Sequence, residues 1–148
     1  MYKNILIATD GSELADRAVQ HGLSLAKELN AKATVVVVTD IWAVRDIAAR
    51  TESGETDAIK HYEEFQASLA KKVLAKAEST ANDIGILCEI VHVKDKHPAE
   101  GIIETADSKN VDLIVMASHG RRGIKKVILG SVANEVVSHS PTPVLIVR

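Results

Sequence analysis

Short apolar runs recur along the chain, and segments with a helical period separate them. Most of the runs are continuous rather than alternating, which is typical of strands buried on both faces. The predicted strands lie at 5–7, 35–38, 86–93, 113–116 and 144–147. Apolar residues at spacings of three and four, or a proline or glycine at the start, predict helices over 12–30, 57–84, 100–109 and 131–138.

Strict alternation of strands and helices predicts an α/β fold. The connections favour right-handed crossovers, so we expect a single-domain, open, five-stranded parallel sheet of Rossmann-like type with helices on both faces. In such sheets a ligand binds outside the carboxyl ends of the strands, where the strand order reverses. The loops after the first and fourth strands are therefore the candidate sites. Residues 41–56 have no sustained period, and we interpret them as a mobile or partly helical excursion.

Length and composition narrow the class of protein. The 148 residues, 46% of them hydrophobic, predict one domain spanning 1–148 with a substantial core. A net charge of −2 provides no general attraction for nucleic acid or an anionic membrane, and we expect neither as a partner. Cys88 is the only cysteine, which excludes an internal disulfide and favours a cytoplasmic location. No apolar run approaches the roughly 20 residues of a membrane span.

The segment after the fourth predicted strand is rich in glycine and leads into a helix. Gly120 and Gly130 would let backbone N–H groups approach a phosphate, and the following helix N-terminus favours an anion. Ser131 could take part in the same contact. A simpler interpretation is that Gly120 belongs to a turn and Ser131 caps the helix. Neither the Rossmann nor the P-loop spacing is present, so the local pattern leaves both interpretations open.

Three features together resemble the universal stress protein family. They are Thr9-Asp10-Gly11-Ser12 after the first strand, Gly120 followed after nine residues by Gly130-Ser131, and the ending 143–147. The resemblance covers essentially the whole chain. It implies an adenine nucleotide α-hydrolase-like fold and a stress-response protein that binds ATP, with Mg²⁺ possible through the phosphates. It also implies regulation by the nucleotide, with hydrolysis slow or absent.

Position-by-position matching to the family implies a set of nucleotide-binding residues. The Asp10 carboxylate would contact a ribose hydroxyl or assist Mg²⁺, and the Val38 backbone would meet the adenine edge. Arg121 is the preferred phosphate contact among four clustered cations, although such a cluster is commonly a solvated loop face. The complete set is Ala8, Thr9, Asp10, Val38, Met116, Ala117, Gly120, Arg121, Gly130, Ser131 and Val132.

Ala117 departs from the family pattern, because it stands where the first motif glycine is expected. The added methyl is nearly free if the backbone φ is negative, and it costs about 1–2 kcal/mol if φ is positive. We expect ATP binding to be weakened by about tenfold and not abolished.

Two alternatives to an ATP-binding protein remain open. One is a nucleotide-free dimeric scaffold, which Ala117 would favour, and the other is a receptor for cyclic AMP. The family resemblance also implies a homodimer, formed by antiparallel pairing of 142–147 across a twofold axis. Cys88 and His92 lack a third ligand for zinc, so we interpret Cys88 as a buried thiol. No motif of a serine hydrolase is present.

Overall fold

The computed structural model describes residues 1–40, 56–120 and 129–148. Strands and helices alternate along them, as predicted. The strands are β1 (Asn4–Ala8), β2 (Lys32–Thr39), β3 (Cys88–Lys94), β4 (Leu113–Ala117) and β5 (Val144–Val147). The helices are α1 (Glu13–Leu29), α2 (Thr56–Ile84), α3 (Pro98–Ser108) and α4 (Ser131–His139). The predicted excursion lies outside the described residues, except for Thr56, which begins α2.

The strands form one five-stranded sheet in the order β3-β2-β1-β4-β5. Every neighbouring pair is parallel, which confirms the predicted fold class. The chain builds the sheet outward from β1 toward β3 and then crosses to β4 and β5. The strand order therefore reverses between β1 and β4, and β3 and β5 form the two edges.

Both faces of the central strands are buried, which explains their continuous apolar runs. On one face Ile5 and Ile7 of β1 pack in a cluster with α1 and α2. On the opposite face Leu6 and Ala8 pack in a second cluster with α3 and α4. The parallel strands thus emerge, at their carboxyl ends, between two layers of helices.

Two of the boundaries that differ from the prediction follow from helix termini. β3 begins at Cys88 and not at residue 86, because the Ile86 N–H closes the end of α2 by bonding to the Ala81 carbonyl at 3.0 Å. Gly85 accompanies this closure with a φ of +83°. α3 begins at Pro98, since proline is well tolerated at the first helical position, where its missing N–H has no partner to lose.

α2, at 29 residues, is the longest described helix and is tied to α1 by polar contacts. Lys76 Nζ lies 2.5 Å from Asp16 Oδ2, and Lys27 Nζ donates to the Ile84 carbonyl at 2.6 Å. No helix in the described part of the chain is long and apolar enough to cross a membrane.

Candidate functional site

A cavity of about 520 Å³ lies at the carboxyl ends of β1, β2 and β4. It occupies the sheet edge where the fold predicted a ligand, and it includes the reversal of strand order. The structure brings ten of the predicted site residues to its lining: Ala8, Thr9, Asp10, Val38, Met116, Ala117, Gly120, Gly130, Ser131 and Val132. Arg121, the remaining predicted contact, lies outside the described residues.

Gly130 holds the start of α4 against the end of β4. Its N–H donates to the Ser118 carbonyl at 2.6 Å. A Cβ at this position would lie 3.1 Å from His119 Cα and 3.2 Å from the Ser118 carbonyl oxygen. Because φ is −67°, the tight approach to the backbone at 118–119, and not a left-handed conformation, favours glycine here.

The N-terminus of α4 opens directly on the cavity. Gly130 is the N-cap and makes no side-chain capping bond, while Ser131 is the first helical residue. The interpretation of Ser131 as the N-cap is therefore wrong. With Gly130 at the cap, no side-chain oxygen of the capping residue covers the first N–H groups of the helix, and these groups are suited to bind an anion.

Asp10 lies two residues beyond the end of β1, and its carboxylate lies against Gly120. Its Oδ1 accepts the Ser12 N–H at 2.9 Å. A Cβ built on Gly120 would collide with Asp10 Oδ2. Ser12 is the N-cap of α1, with its Oγ accepting the Ala15 N–H at 3.2 Å, so the helix does not need Asp10 as its cap. Asp10 is thus placed at the cavity and beside the glycine loop.

Ala117 fits its position without backbone strain. It is not among the described residues with positive φ. Its side chain packs in a small cluster with Ala15 and Ala18 of α1, and 8% of the residue is exposed. The Ala117 methyl group therefore adds almost no conformational energy to the backbone. The backbone provides no reason for a tenfold loss of ATP affinity.

The other end of the cavity is mostly apolar and is built by three separate elements. The β2 segment 36–38 forms its floor, with Leu69 and Val73 on the α2 side and Pro98 and Ile102 on the α3 side. The α2 and α3 residues were missed in the sequence, because their spacing indicates only an apolar helix face. The pattern cannot distinguish an apolar helix face that packs in the core from one that lines a cavity.

Gly101 allows α3 to approach this end of the cavity. A Cβ there would lie 2.8 Å from Val38 Cγ1 and 2.9 Å from Val38 Cγ2. Since α3 carries Pro98 and Ile102, its close packing on Val38 also places these side chains at the cavity.

A histidine lies just beyond the apolar end. His92 Nε2 is 2.9 Å from Thr39 Oγ1, and Thr39 lines the cavity. Burial lowers the pKa of His92, with a further contribution from the Lys94 charge. The neutral imidazole is therefore favoured in the folded protein.

Cys88 lies on the same strand as His92. It is half-buried, so the prediction of a buried thiol is wrong. Burial, followed by the Glu78 charge, raises the pKa of the Cys88 thiol. Among the residues that the structure describes, no group of three or more histidine, cysteine or acidic side chains could hold a metal ion.

Fold and cavity together define a Rossmann-like α/β protein with an open cleft at the switch point of a parallel sheet. A family model described as the universal stress protein family matches residues 1–148. The chain belongs to the universal stress protein family, as its motifs indicated.

Curated relatives match along the whole chain. It is 35% identical over 158 residues to universal stress protein MJ0577 of Methanocaldococcus jannaschii, covering 100% of this chain and 96% of the relative. It is 33% identical over 154 residues to universal stress protein YxiE of Bacillus subtilis, covering 100% of both.

Solved structures share the fold. The structure of MJ0577 has a TM-score of 0.83 at 29% identity, covering 99% of this chain and 96% of that one. A universal stress protein in complex with cAMP has a TM-score of 0.73 at 28% identity, covering 99% of this chain and 97% of that one.

Proposed function

We propose that this protein binds ATP, with Mg²⁺, in the cleft at the carboxyl edge of its sheet. It acts in the stress response as a cytoplasmic regulatory module that is controlled by the nucleotide. The observation that carries the proposal is the contact of Gly130 with the backbone at 118–119, because it brings the first N–H groups of α4 to the cavity. This arrangement suits a phosphate.

The two ends of the cavity match the two ends of a nucleotide. Gly120, Gly130 and Ser131 provide backbone groups at one end, and mostly apolar side chains from β2, α2 and α3 line the other. A triphosphate would occupy the first end and the adenine ring the second. The predicted site residues between the two ends, Ala8 and Met116 among them, would lie along the sugar and the base.

Asp10 is the candidate residue for the ribose or for Mg²⁺. One carboxylate beside the glycine loop fits a cation held mainly by phosphate oxygens, which needs few protein ligands. Bound Mg²⁺ would offset phosphate charge, while Asp10 would orient the ion directly or through water. Arg121 would add positive charge near the phosphates. Hydrolysis is slow or absent, since the site resembles a binding site more than that of a fast ATPase.

Cyclic AMP is the second candidate ligand, and the related structure in complex with cAMP supports it. The glycine end argues for ATP, because a cyclic monophosphate would leave much of that end unused. A nucleotide-free scaffold would leave unexplained why Gly120 and Gly130 both line one cavity. Competition between the two nucleotides for the wild-type protein distinguishes these functions.

We also propose a homodimer through residues 142–147. β5 forms an edge of the sheet, and each of its four residues is only half-buried. An apolar edge strand tends to pair unless it is covered. Ile146→Lys should give monomers in sedimentation velocity, and circular dichroism must show that the variant is folded, because Ile146 also packs against the α3–α4 cluster. A folded variant that remains dimeric would contradict pairing through β5.

The experiment for ATP binding begins with the nucleotide that copurifies. Acid release and chromatography should identify an adenine nucleotide, and calorimetry on the emptied protein should give micromolar binding of ATP with Mg²⁺. Cyclic AMP should compete only weakly. Tighter binding of cyclic AMP than of ATP would favour a receptor for cyclic AMP. Binding of neither nucleotide would favour a nucleotide-free dimeric scaffold.

A further inference from the structure

The α2 side of the cavity carries two side chains that an apolar wall does not require. Tyr62 and Gln66 are one helical turn apart, both half-buried, and both line the cavity. Residues four apart on a helix lie on one face, so both belong to the same wall. Leu69, Ala70 and Val73 continue that face toward the core.

Within the described ranges, Tyr62 is the only tyrosine, phenylalanine or tryptophan that lines the cavity. Pro98 and Ile102 line the cavity from α3, which packs on the opposite face of the sheet from α2. A planar ring between these walls would have an aromatic face on one side and apolar groups on the other. Stacking on an aromatic side chain is a strong, sequence-tolerant contact for a base.

Gln66 is the only side-chain amide that lines the cavity within the described residues. A small cleft of about 120 Å³ lies beside the cavity and shares Thr39, Asp40, Tyr62 and Gln66 with it. Gln66 therefore lies where the outer edge of a bound base would end. An amide presents one donor and one acceptor side by side, which matches the N1 acceptor and the N6–H donor on the Watson–Crick edge of adenine.

We propose that Tyr62 and Gln66 determine base specificity at this site, Tyr62 by stacking on the purine and Gln66 by hydrogen bonding to its polar edge. This inference rests on the proposed nucleotide binding and goes beyond it, because the predicted site residues include no side chain of α2. It makes α2 the element that selects a purine and distinguishes adenine from guanine.

Stacking is tested by calorimetry with ATP. Tyr62→Ala should raise the Kd for ATP about tenfold, and Tyr62→Phe should keep it within about twofold, since the ring is retained. The matched control is Phe65→Ala on the same helix, because Phe65 is 59% exposed and does not line the cavity. The control should leave the Kd unchanged.

Edge recognition is tested by comparing ATP with GTP. Gln66→Glu replaces the donor with a second acceptor, which suits the two N–H donors of guanine and repels the ring acceptor of adenine. The ratio of Kd for GTP to Kd for ATP should fall by about tenfold or more. Ser68→Glu, which adds the same charge on the exposed side of α2, should leave the ratio unchanged.

Inorganic triphosphate serves as the probe for an intact site. The Tyr62 and Gln66 variants should bind it as the wild type does, because it lacks a base. Parallel loss of triphosphate binding would show general damage and contradict the proposal. Unchanged ATP affinity and GTP ratio would overturn it while leaving ATP binding in place, whereas a wild type that binds no nucleotide would refute both.

Discussion

The two ends of the cleft are built by different means. At the glycine end Gly130 lies against the backbone at Ser118 and His119, and Gly120 lies against the Asp10 carboxylate. At the apolar end side chains from β2, α2 and α3 form the surface, and Gly101 packs on the side chain of Val38. Backbone cannot move aside without refolding a loop, whereas a side chain can change rotamer. Gly130, which lies against backbone, should therefore tolerate an added methyl less well than Gly120, which lies against a side chain.

The largest effect is expected from Gly130→Ala. The new methyl would press on His119 Cα and the Ser118 carbonyl, and would push α4 away from β4. We expect the Kd for ATP to rise about a hundredfold, or ~2.7 kcal/mol. Isothermal titration calorimetry on protein shown to be folded by circular dichroism measures this.

Gly101→Ala is the matched substitution at the apolar end. Its methyl would lie 2.8 and 2.9 Å from the two Cγ atoms of Val38, so Val38 or α3 must shift and the apolar end changes shape. Adenosine should therefore bind more weakly, while inorganic triphosphate should keep its wild-type affinity because it lacks a base. In Gly130→Ala the affinity for triphosphate should fall instead. Equal losses of triphosphate affinity in the two variants would refute the contrast between the two ends.

Gly120→Ala should have an intermediate effect. The methyl displaces the Asp10 carboxylate, which can move because it is a side chain. We expect the Kd for Mg²⁺–ATP to rise about tenfold, or ~1.4 kcal/mol. Asp10→Asn should give a similar change, and titrations with and without Mg²⁺ report whether the lost contact involves the metal. An affinity unaffected by either substitution would remove Asp10 from the site.

Ala117→Gly should act on stability more than on binding. It removes a buried methyl packed on Ala15 and Ala18 and places glycine at the end of a strand, which together destabilise by about 1 kcal/mol. Affinity for ATP should stay within about threefold of the wild type. Chemical denaturation and calorimetry measure the two quantities. A tenfold gain in affinity would restore the view that Ala117 weakens the ribose contact.

The smallest effect concerns pH and the histidine beyond the apolar end. Burial lowers the folded-state pKa of His92, so the unfolded chain takes up its proton first as pH falls. The contribution of neutral His92 to the free energy of unfolding is present above about pH 6.5, the usual histidine pKa. This contribution is lost as the pH falls through the lowered folded-state pKa. His92→Asn should flatten the decline of the free energy of unfolding between about pH 7.5 and 5.

A decline that is the same in the wild type and in the His92→Asn protein would show that His92 makes no contribution to it.

The glycine end could be predicted from the sequence because its residues lie in contiguous motifs. The segments 9–12 and 117–132 follow directly after strands, and parallel strands bring their carboxyl ends to one edge. The parallel sheet with helices on both faces follows from the alternation of strands and helices, whereas periodicity does not specify the strand order β3-β2-β1-β4-β5. Local sequence motifs were therefore enough to predict that these residues lie together at one edge of the sheet.

The apolar end could not be predicted in the same way. Tyr62, Gln66, Pro98 and Ile102 come from helices whose spacing specifies an amphipathic face and not what that face covers. The half-buried state of Cys88 was missed for a related reason. Cys88 lies on an edge strand, and the sequence of an edge strand can be apolar whether or not a helix covers it. Gly101 gave no local signal, because its role depends on Val38 of another element.

The most direct test of a two-ended nucleotide site is an amide NMR titration with ATP, adenosine and inorganic triphosphate. Adenosine should shift the amides of Val38 and Thr39, triphosphate those of Gly120, Gly130 and Ser131, and ATP both sets at once. Shifts in both sets on binding ATP would support one ligand spanning the cleft. A folded protein in which ATP moves neither set, or moves amides elsewhere, would contradict the account.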